Sequence, residues 1–349
     1  MSNAIKILVP VILCFVSGIS LTPVFTHYFY KYKLWRRVSR ASTGTQPAFH
    51  AIHDENSELH TPRVGGMIVW ISVIFSLLLI WIIGIFWGSS VENNLNFISR
   101  KETLLPFFTL IIASLIGLGD DFIQIFATGR FSNDPMFLRW LKIGIIVSLG
   151  IIIGWWFYSK LGIDYVFVPG FGFFTLGILF LPFFIIIMLA VFSSSVIDGI
   201  DGLSGGVLAS IFAGYAVIAF GNGQYDLSAF CAVVASGILA FLWFNIPPAR
   251  FYMGETGMIG LTVTISVIAF LTNTVLLLPI IAFPLFITSL SSIIQMLSRK
   301  FRNGKKVFLV APLHHHFEAL GWPKYKVTMR YWVVSIITTS LGVIIALSF

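Results

Sequence analysis

Runs of about 20 mostly apolar residues, the length that carries an α-helix across a bilayer, recur along this chain from Ile5 to Phe349. No soluble fold of 349 residues hides that much apolar surface: 57% of the positions are hydrophobic and only 10% charged, against roughly one-quarter charged in an ordinary soluble domain. The expected class is therefore all-α, a polytopic protein with the lipid bilayer as its solvent and about ten transmembrane helices.

Charged or Gly-, Pro- and Asn-rich breaks place spans near 5–29, 64–88, 104–119, 140–158, 173–192, 207–221, 227–244, 258–273, 275–298 and 329–348. Lys6 before the first apolar run resembles the start of a secretory signal, but no small-residue cleavage site follows and the run continues to about Phe29, so it reads as the first span. Cys14 and Cys231 lie inside apolar runs and read as small structural side chains. No internal repeat is evident, and residues 1–349 read as a single integral membrane domain.

All but four of the 22 Lys and Arg residues follow odd-numbered spans; the exceptions are Lys6, Arg100, Lys101 and Lys160. Translocated loops disfavour Lys and Arg, so the basic side is expected to face the cytoplasm, with both termini outside. The formal net charge of +8 belongs mainly to that inner surface, where it attracts anionic lipid head groups or anionic substrates. Nucleic acid is not an expected partner, because the basic residues serve topology and line no aromatic-interleaved groove.

Four polar segments break the pattern: Gly117-Leu118-Gly119-Asp120-Asp121, Asp198-Gly199-Ile200-Asp201-Gly202, the stretch from Asn245 to Gly257, and His314-His315-His316-Phe317-Glu318. Each follows an odd-numbered span, so all four are expected on the cytoplasmic face. Adjacent carboxylates repel unless a cation, a proton or a basic neighbour compensates them; Asp120 and Asp121 either end a solvated interfacial helix or hold such a partner. Asp198 and Asp201 are three apart and would face the same way on a helical turn. Gly199, Gly202, Gly205 and Gly206 either let a backbone or a phosphate approach closely or form a simple re-entry turn. Glu255, after the helix-stopping Pro247-Pro248, is either a helix-dipole partner or an oxygen ligand for Mg²⁺. The three histidines read either as a solvated basic turn or as a metal-binding tract. Taken together, the groups suit phosphoryl-type transfer, which needs a divalent cation on oxygen ligands, donors for phosphate oxygens and in-line geometry.

The chain resembles the polyprenyl-phosphate N-acetylhexosamine-1-phosphate transferases over nearly its whole length, from Thr61-Pro62-Arg63-Val64-Gly65-Gly66 to Val327-Thr328-Met329-Arg330-Tyr331-Trp332. Ala311-Pro312-Leu313-His314-His315-His316-Phe317-Glu318 with Gly321-Trp322-Pro323 is its most specific part and is similar to the phospho-N-acetylmuramoyl-pentapeptide branch. The resemblance implies a bacterial inner (cytoplasmic) membrane enzyme with its active site on the cytoplasmic face. It implies transfer of phospho-MurNAc-pentapeptide from UDP-MurNAc-pentapeptide to undecaprenyl phosphate, giving lipid I and UMP, with Mg²⁺ and as a homodimer. By motif position it assigns catalytic roles to Asp120, Asp121, Asp198, Asp201, His314, His315 and His316, metal binding to Glu255, and substrate contacts to Asn245, Tyr252, Gln295, Ser195 and Thr61.

Three departures mark this chain. Ser195 stands where the family has Asn, Glu255 where it has the Asp of MGDTG, and Glu55-Asn56-Ser57-Glu58-Leu59-His60 where it usually places a Lys upstream of TPxxGG. With Asp120, Asp121, Asp198, Asp201 and the histidines intact, the sequence reads as a divergent active enzyme. Its rivals are transfer of another UDP-N-acetylhexosamine 1-phosphate such as GlcNAc-1-phosphate, a secondary transporter, whose ionisable sites belong near the bilayer midplane, and a catalytically dead relative kept for partner binding.

Overall fold

The computed structural model describes residues 3–35, 59–100, 102–126 and 135–349; the Glu55–Glu58 part of the variant loop lies outside them. The chain runs through α1 (Asn3–Lys31), α2 (Met67–Trp87), the short α3 (Ser89–Leu95), α4 (Leu104–Phe126) and α5 (Pro135–Trp156), which continues as a π turn, Phe157–Leu161. An antiparallel hairpin follows, β1 (Tyr165–Val168) with β2 (Gly172–Thr175). Then come α6 (Phe180–Ser193), α7 (Leu203–Gly221), α8 (Tyr225–Asn245), α9 (Gly254–Leu271), α10 (Leu278–Ile281), α11 (Phe283–Phe301), α12 (Leu313–Ala319) and α13 (Lys324–Ser348). Among the described residues nine helical segments are long and apolar enough to cross a membrane, and Val275–Ile281 with Phe283–Phe301 makes a tenth crossing if that bent pair is one span. The all-α polytopic expectation holds, with the hairpin as the one sheet among the described residues.

Helices α7, α8 and α9 form the centre, and the others surround them. Some 89% of the apolar window of α9 is buried, against 17% for the span containing α5. A helix apolar on every side belongs inside a bundle or against lipid, and the polar residues of α9 decide between the two. Thr262 and Thr264 donate to the carbonyls of Met258 and Gly260 at 2.6 and 2.7 Å, so neither of these hydroxyls is left bare in an apolar interior. Gly260 admits α4: a Cβ there would lie 2.0 Å from Ser114 Oγ. Beside them, Phe157, Phe184 and Phe270 lock the π turn, α6 and α9 together, with 4.5 Å between the Phe184 and Phe270 ring centroids.

Three expectations about spans are corrected. The third does not stop at 119, since α4 runs to Phe126 and carries Asp120 and Asp121 within its last turns. Polar side chains hid a helix end that the backbone continues through. The fifth does not begin at 173, because 172–175 is β2, paired with β1 around Gly170 and Gly172 at φ of 81° and 90°. The ninth is not one rod: its two pieces meet at 86°. Pro279 and Pro284 each sit in the first turn of their helices, where the missing N–H is tolerated, but neither continues a preceding helix. The carbonyl of Ile281 left at the break accepts the Thr339 hydroxyl of α13 at 2.8 Å.

Candidate active site

The site begins with two strips of backbone running side by side. Tyr252 N–H donates to the Pro62 carbonyl (2.8 Å), Gly65 N–H to Tyr252 O and Gly66 N–H to Met253 O (both 2.9 Å). Such close approach demands glycine on both strips. A Cβ on Gly66 would fall 2.3 Å from Gly257 N, and one on Gly254, held at φ +69°, would fall 1.8 Å from the Arg63 carbonyl. The pairing sets the Thr61–Gly66 segment over the N-terminus of α9.

Helix α4 meets the same N-terminus. At Gly117 the two helices nearly touch, since a Cβ would lie 2.2 Å from the Glu255 carbonyl oxygen. One turn later the buried Asp121 closes the end of α9, accepting Glu255 N–H at 3.1 Å and the Thr256 N–H and hydroxyl at 2.8 and 2.7 Å. A carboxylate on otherwise orphaned amides at a helix N-terminus is favoured by both hydrogen bonding and the helix dipole. Asp121 is thus a strut for Glu255. Its neighbour Asp120 points elsewhere: Lys142 of α5 bridges Asp120 at 2.9 Å and Glu255 at 3.0 Å, and Gln124 donates to the same Asp120 oxygen. Asp120 of the adjacent pair does have a compensating cation, and it is Lys142, counted in the sequence only as a topological charge.

The glycine-rich segment does not form a helical turn that would face Asp198 and Asp201 the same way. A short 3-10 turn, Ser194–Ile197, ends at Asp198, and Gly202 at φ +74° starts α7, so Asp198 and Asp201 turn apart. Asp198 accepts Ser204 Oγ at 2.8 Å and Gly254 N–H at 3.1 Å. Asp201 instead accepts Ala249 N–H at 3.1 Å. Burial pushes the Asp201 carboxyl above the ordinary carboxylate range, opposed by the Ala249 N–H and the charge of Lys324. The glycines admit side chains: a Cβ on Gly206 would meet Trp332 Nε1 at 2.0 Å, and one on Gly199 would meet His314 Nε2 at 2.6 Å and His315 Nε2 at 3.0 Å.

The histidines form no solvated turn but occupy helix α12, where His314 and His315 are buried. Ser291 receives Leu313 N–H at 2.9 Å and so positions the start of that helix. Glu318 Oε2 lies 2.6 Å from His315 Nδ1, which orients the ring and leaves Nε2 directed at Gly199. His316 Nδ1 accepts Leu309 N–H at 3.2 Å.

Arg63, Ser195, Asp198, Gly199, Glu255, Ser292 and His315 line one cavity of about 360 Å³. Groups as far apart in sequence as Arg63 and His315 therefore share a single chamber. Of the residues singled out from sequence, Ser195, Asp198, Glu255 and His315 face it; Asp120, Asp121, Asp201, His314, His316, Thr61, Asn245, Tyr252 and Gln295 are not in its lining. Asn245 holds Gly202 N–H at 2.9 Å and donates to Phe251 O at 2.8 Å. Gln295 is bound wholly to the backbone of residues 307 and 308, at 2.9–3.0 Å. Both amides brace the loops that frame the chamber. Among the described residues no three His, Cys, Asp or Glu side chains gather to hold a metal unaided. Asp198 and Glu255 together present hard oxygen donors beside open volume, a donor set that fits Mg²⁺, which commonly takes one or two carboxylates and completes its shell with water and phosphate.

The description "Glycosyl transferase family 4" matches residues 103–273, which run from the start of α4 to just past α9 and include every aspartate discussed above. Over 339 residues the chain is 32% identical to a phospho-N-acetylmuramoyl-pentapeptide-transferase of Geobacillus sp. (strain WCH70), covering 96% of both chains. It is 32% identical to that of Bacillus pumilus (strain SAFR-032) and 29% identical to that of Bacillus subtilis (strain 168), covering 97% of both chains in each case. Similarity of that depth across α1 to α13, together with the convergence of the TPRVGG, DGIDG, MGETG and histidine segments on one chamber, means that the chain belongs to the phospho-N-acetylmuramoyl-pentapeptide-transferase family.

Proposed function

We propose that this protein transfers phospho-MurNAc-pentapeptide from UDP-MurNAc-pentapeptide to undecaprenyl phosphate, forming lipid I and releasing UMP. The observation that carries the reading is the single chamber lined by Asp198, Glu255 and His315, in a chain that matches its named relatives from end to end. An oxygen of the lipid phosphate attacks the β-phosphorus of the donor; the bond from that phosphorus to the bridging oxygen breaks, and UMP leaves with the electron pair.

Glu255 and Asp198 are the residues that would hold Mg²⁺, which when bound neutralises the diphosphate and the leaving UMP. Lys142 holds the Glu255 carboxylate from the side of α5. His315, oriented by Glu318, offers Nε2 to a phosphate oxygen. Any residual proton on the lipid phosphate passes to water, since Asp198 is given to the metal and Asp120 is paired with Lys142. Because the second pKa of a phosphate monoester is about 6, that proton is largely absent at neutral pH, and charge stabilisation carries most of the acceleration. The same reading puts the enzyme in the bacterial cytoplasmic membrane as a homodimer, with the chamber on the basic, cytoplasmic side.

The test is UMP release by purified protein with undecaprenyl phosphate, Mg²⁺ and a panel of UDP-sugars. Release with UDP-MurNAc-pentapeptide that EDTA abolishes is expected. Turnover with UDP-GlcNAc alone would reassign the donor, and binding of these ligands without any turnover would make the chain a non-catalytic relative.

A further inference from the structure

Arg63 lines the chamber and is 5% exposed, yet its Nε is buried with no hydrogen-bond partner among the described residues. A guanidinium buried with a donor unmatched is costly unless an acceptor arrives. Service as a counter-charge for Asp121 does not account for it. Arg63 does act favourably on that carboxylate through space, but both Asp121 oxygens already accept hydrogen bonds from Glu255 and Thr256. The backbone around Arg63 is pinned on three sides: its N–H donates to Leu34 O at 2.9 Å, the preceding Pro62 O accepts Tyr252 N–H, and its own carbonyl abuts Gly254. The backbone from which the side chain springs is therefore fixed before any ligand enters. Among the described residues Arg63 is also the only Lys or Arg in the chamber lining, which it shares with Asp198 and Glu255.

We propose that Arg63 is a substrate-binding residue that grips a phosphate oxyanion of the reactants in this chamber. The proposal rests on the transferase reading for the identity of the anion, which has two sources: the diphosphate of the nucleotide-sugar and the monoester of the lipid acceptor. A guanidinium suits either, since its fork of N–H donors matches two oxygens of one phosphate.

Purified full-length wild type, Arg63→Gln and Arg63→Lys are titrated in detergent with UDP, uridine and undecaprenyl phosphate in the presence of Mg²⁺, with thermal midpoints recorded. Loss of one charge-assisted phosphate contact is expected to weaken UDP binding to Arg63→Gln by about tenfold or more, with uridine affinity unchanged. A loss confined to undecaprenyl phosphate supports the proposal and assigns the contact to the acceptor. Arg63→Lys keeps the charge but not the fork, and an approximately threefold or greater loss for the same ligand is expected; if the Gln variant fails to fold, that loss with uridine unchanged is decisive. Unchanged affinity for both phosphate ligands in a folded variant overturns the proposal, as does an equal loss for uridine or a wild type that binds neither phosphate ligand. These are binding readouts, so failure of the wild type to release UMP would refute the transferase reading while leaving the Arg63 result standing.

Discussion

Glu255 shows how much a single side chain is asked to do. Its backbone N–H is held by Asp121, its carboxylate is tied to Lys142, and it also faces the chamber. Glu255→Gln keeps the shape and the N-terminal strut while removing the charge; UMP release is expected to fall by about a hundredfold or more, with the thermal midpoint little changed. A variant with wild-type turnover would remove Glu255 from the site. Asp201 has a different signature. Burial raises its carboxyl above the ordinary range, so the folded state binds its proton more readily than the unfolded chain does. Stability from this group is fully present below the ordinary carboxylate pKa and is lost as pH rises through the raised folded value. Asp201→Asn is therefore expected to flatten the decline of stability with rising pH above the ordinary carboxylate range, as read from thermal midpoints of both proteins in detergent between pH 4 and 8 (roughly the span from an unperturbed Asp upwards). A midpoint gap that stays constant across that range would contradict the assignment.

At the scale of the element, close crossings place the chemistry. Gly117 and Gly254 are positions where a methyl group has no room, against Glu255 O and Arg63 O respectively. Gly254 carries the added constraint of a positive φ. Gly254→Ala is expected to lower stability by about 1–3 kcal/mol or more and to abolish nucleotide binding, because it pushes apart the two strips that carry Arg63 and Glu255. Wild-type binding with an unshifted midpoint would show that the strips are not what shapes the chamber. The break before α11 depends on a subtler contact, the Thr339 hydroxyl on the Ile281 carbonyl. Thr339→Val leaves that carbonyl unmatched in an apolar setting and is expected to cost about 1–3 kcal/mol in the unfolding of the detergent-solubilised protein. Long apolar runs made these helices readable. The 86° turn was not, since Pro279 and Pro284 each mark a helix start but neither states the angle at which two helices meet. Nor was the end of α4, because Asp120 and Asp121 look like a boundary until Lys142 and the α9 amides are beside them.

Across the whole molecule, nine described spans and a tenth if the bent pair crosses as one, with the basic loops on one side, lead us to propose that the end of α13 lies on the face opposite the chamber. An alkaline phosphatase fused after α13 is expected to be active in cells, and one fused in the loop between α11 and α12 inactive; the reverse pattern would invert the topology. Hydropathy alone determined that this chain lives in a bilayer, roughly where it crosses, and which motifs travel together, because those properties depend on composition over some 20 residues and on which side of each span a charge falls. Only the packed structure decided that Asp198, Glu255, His315 and Arg63 share a chamber, that Asp121, Asn245 and Gln295 serve as braces, and that Lys142 is the partner of Asp120 and Glu255. The reason is physical: a side chain's task is set by the donors and charges within a few ångströms of it, and in a helical bundle those neighbours come from segments far apart along the chain.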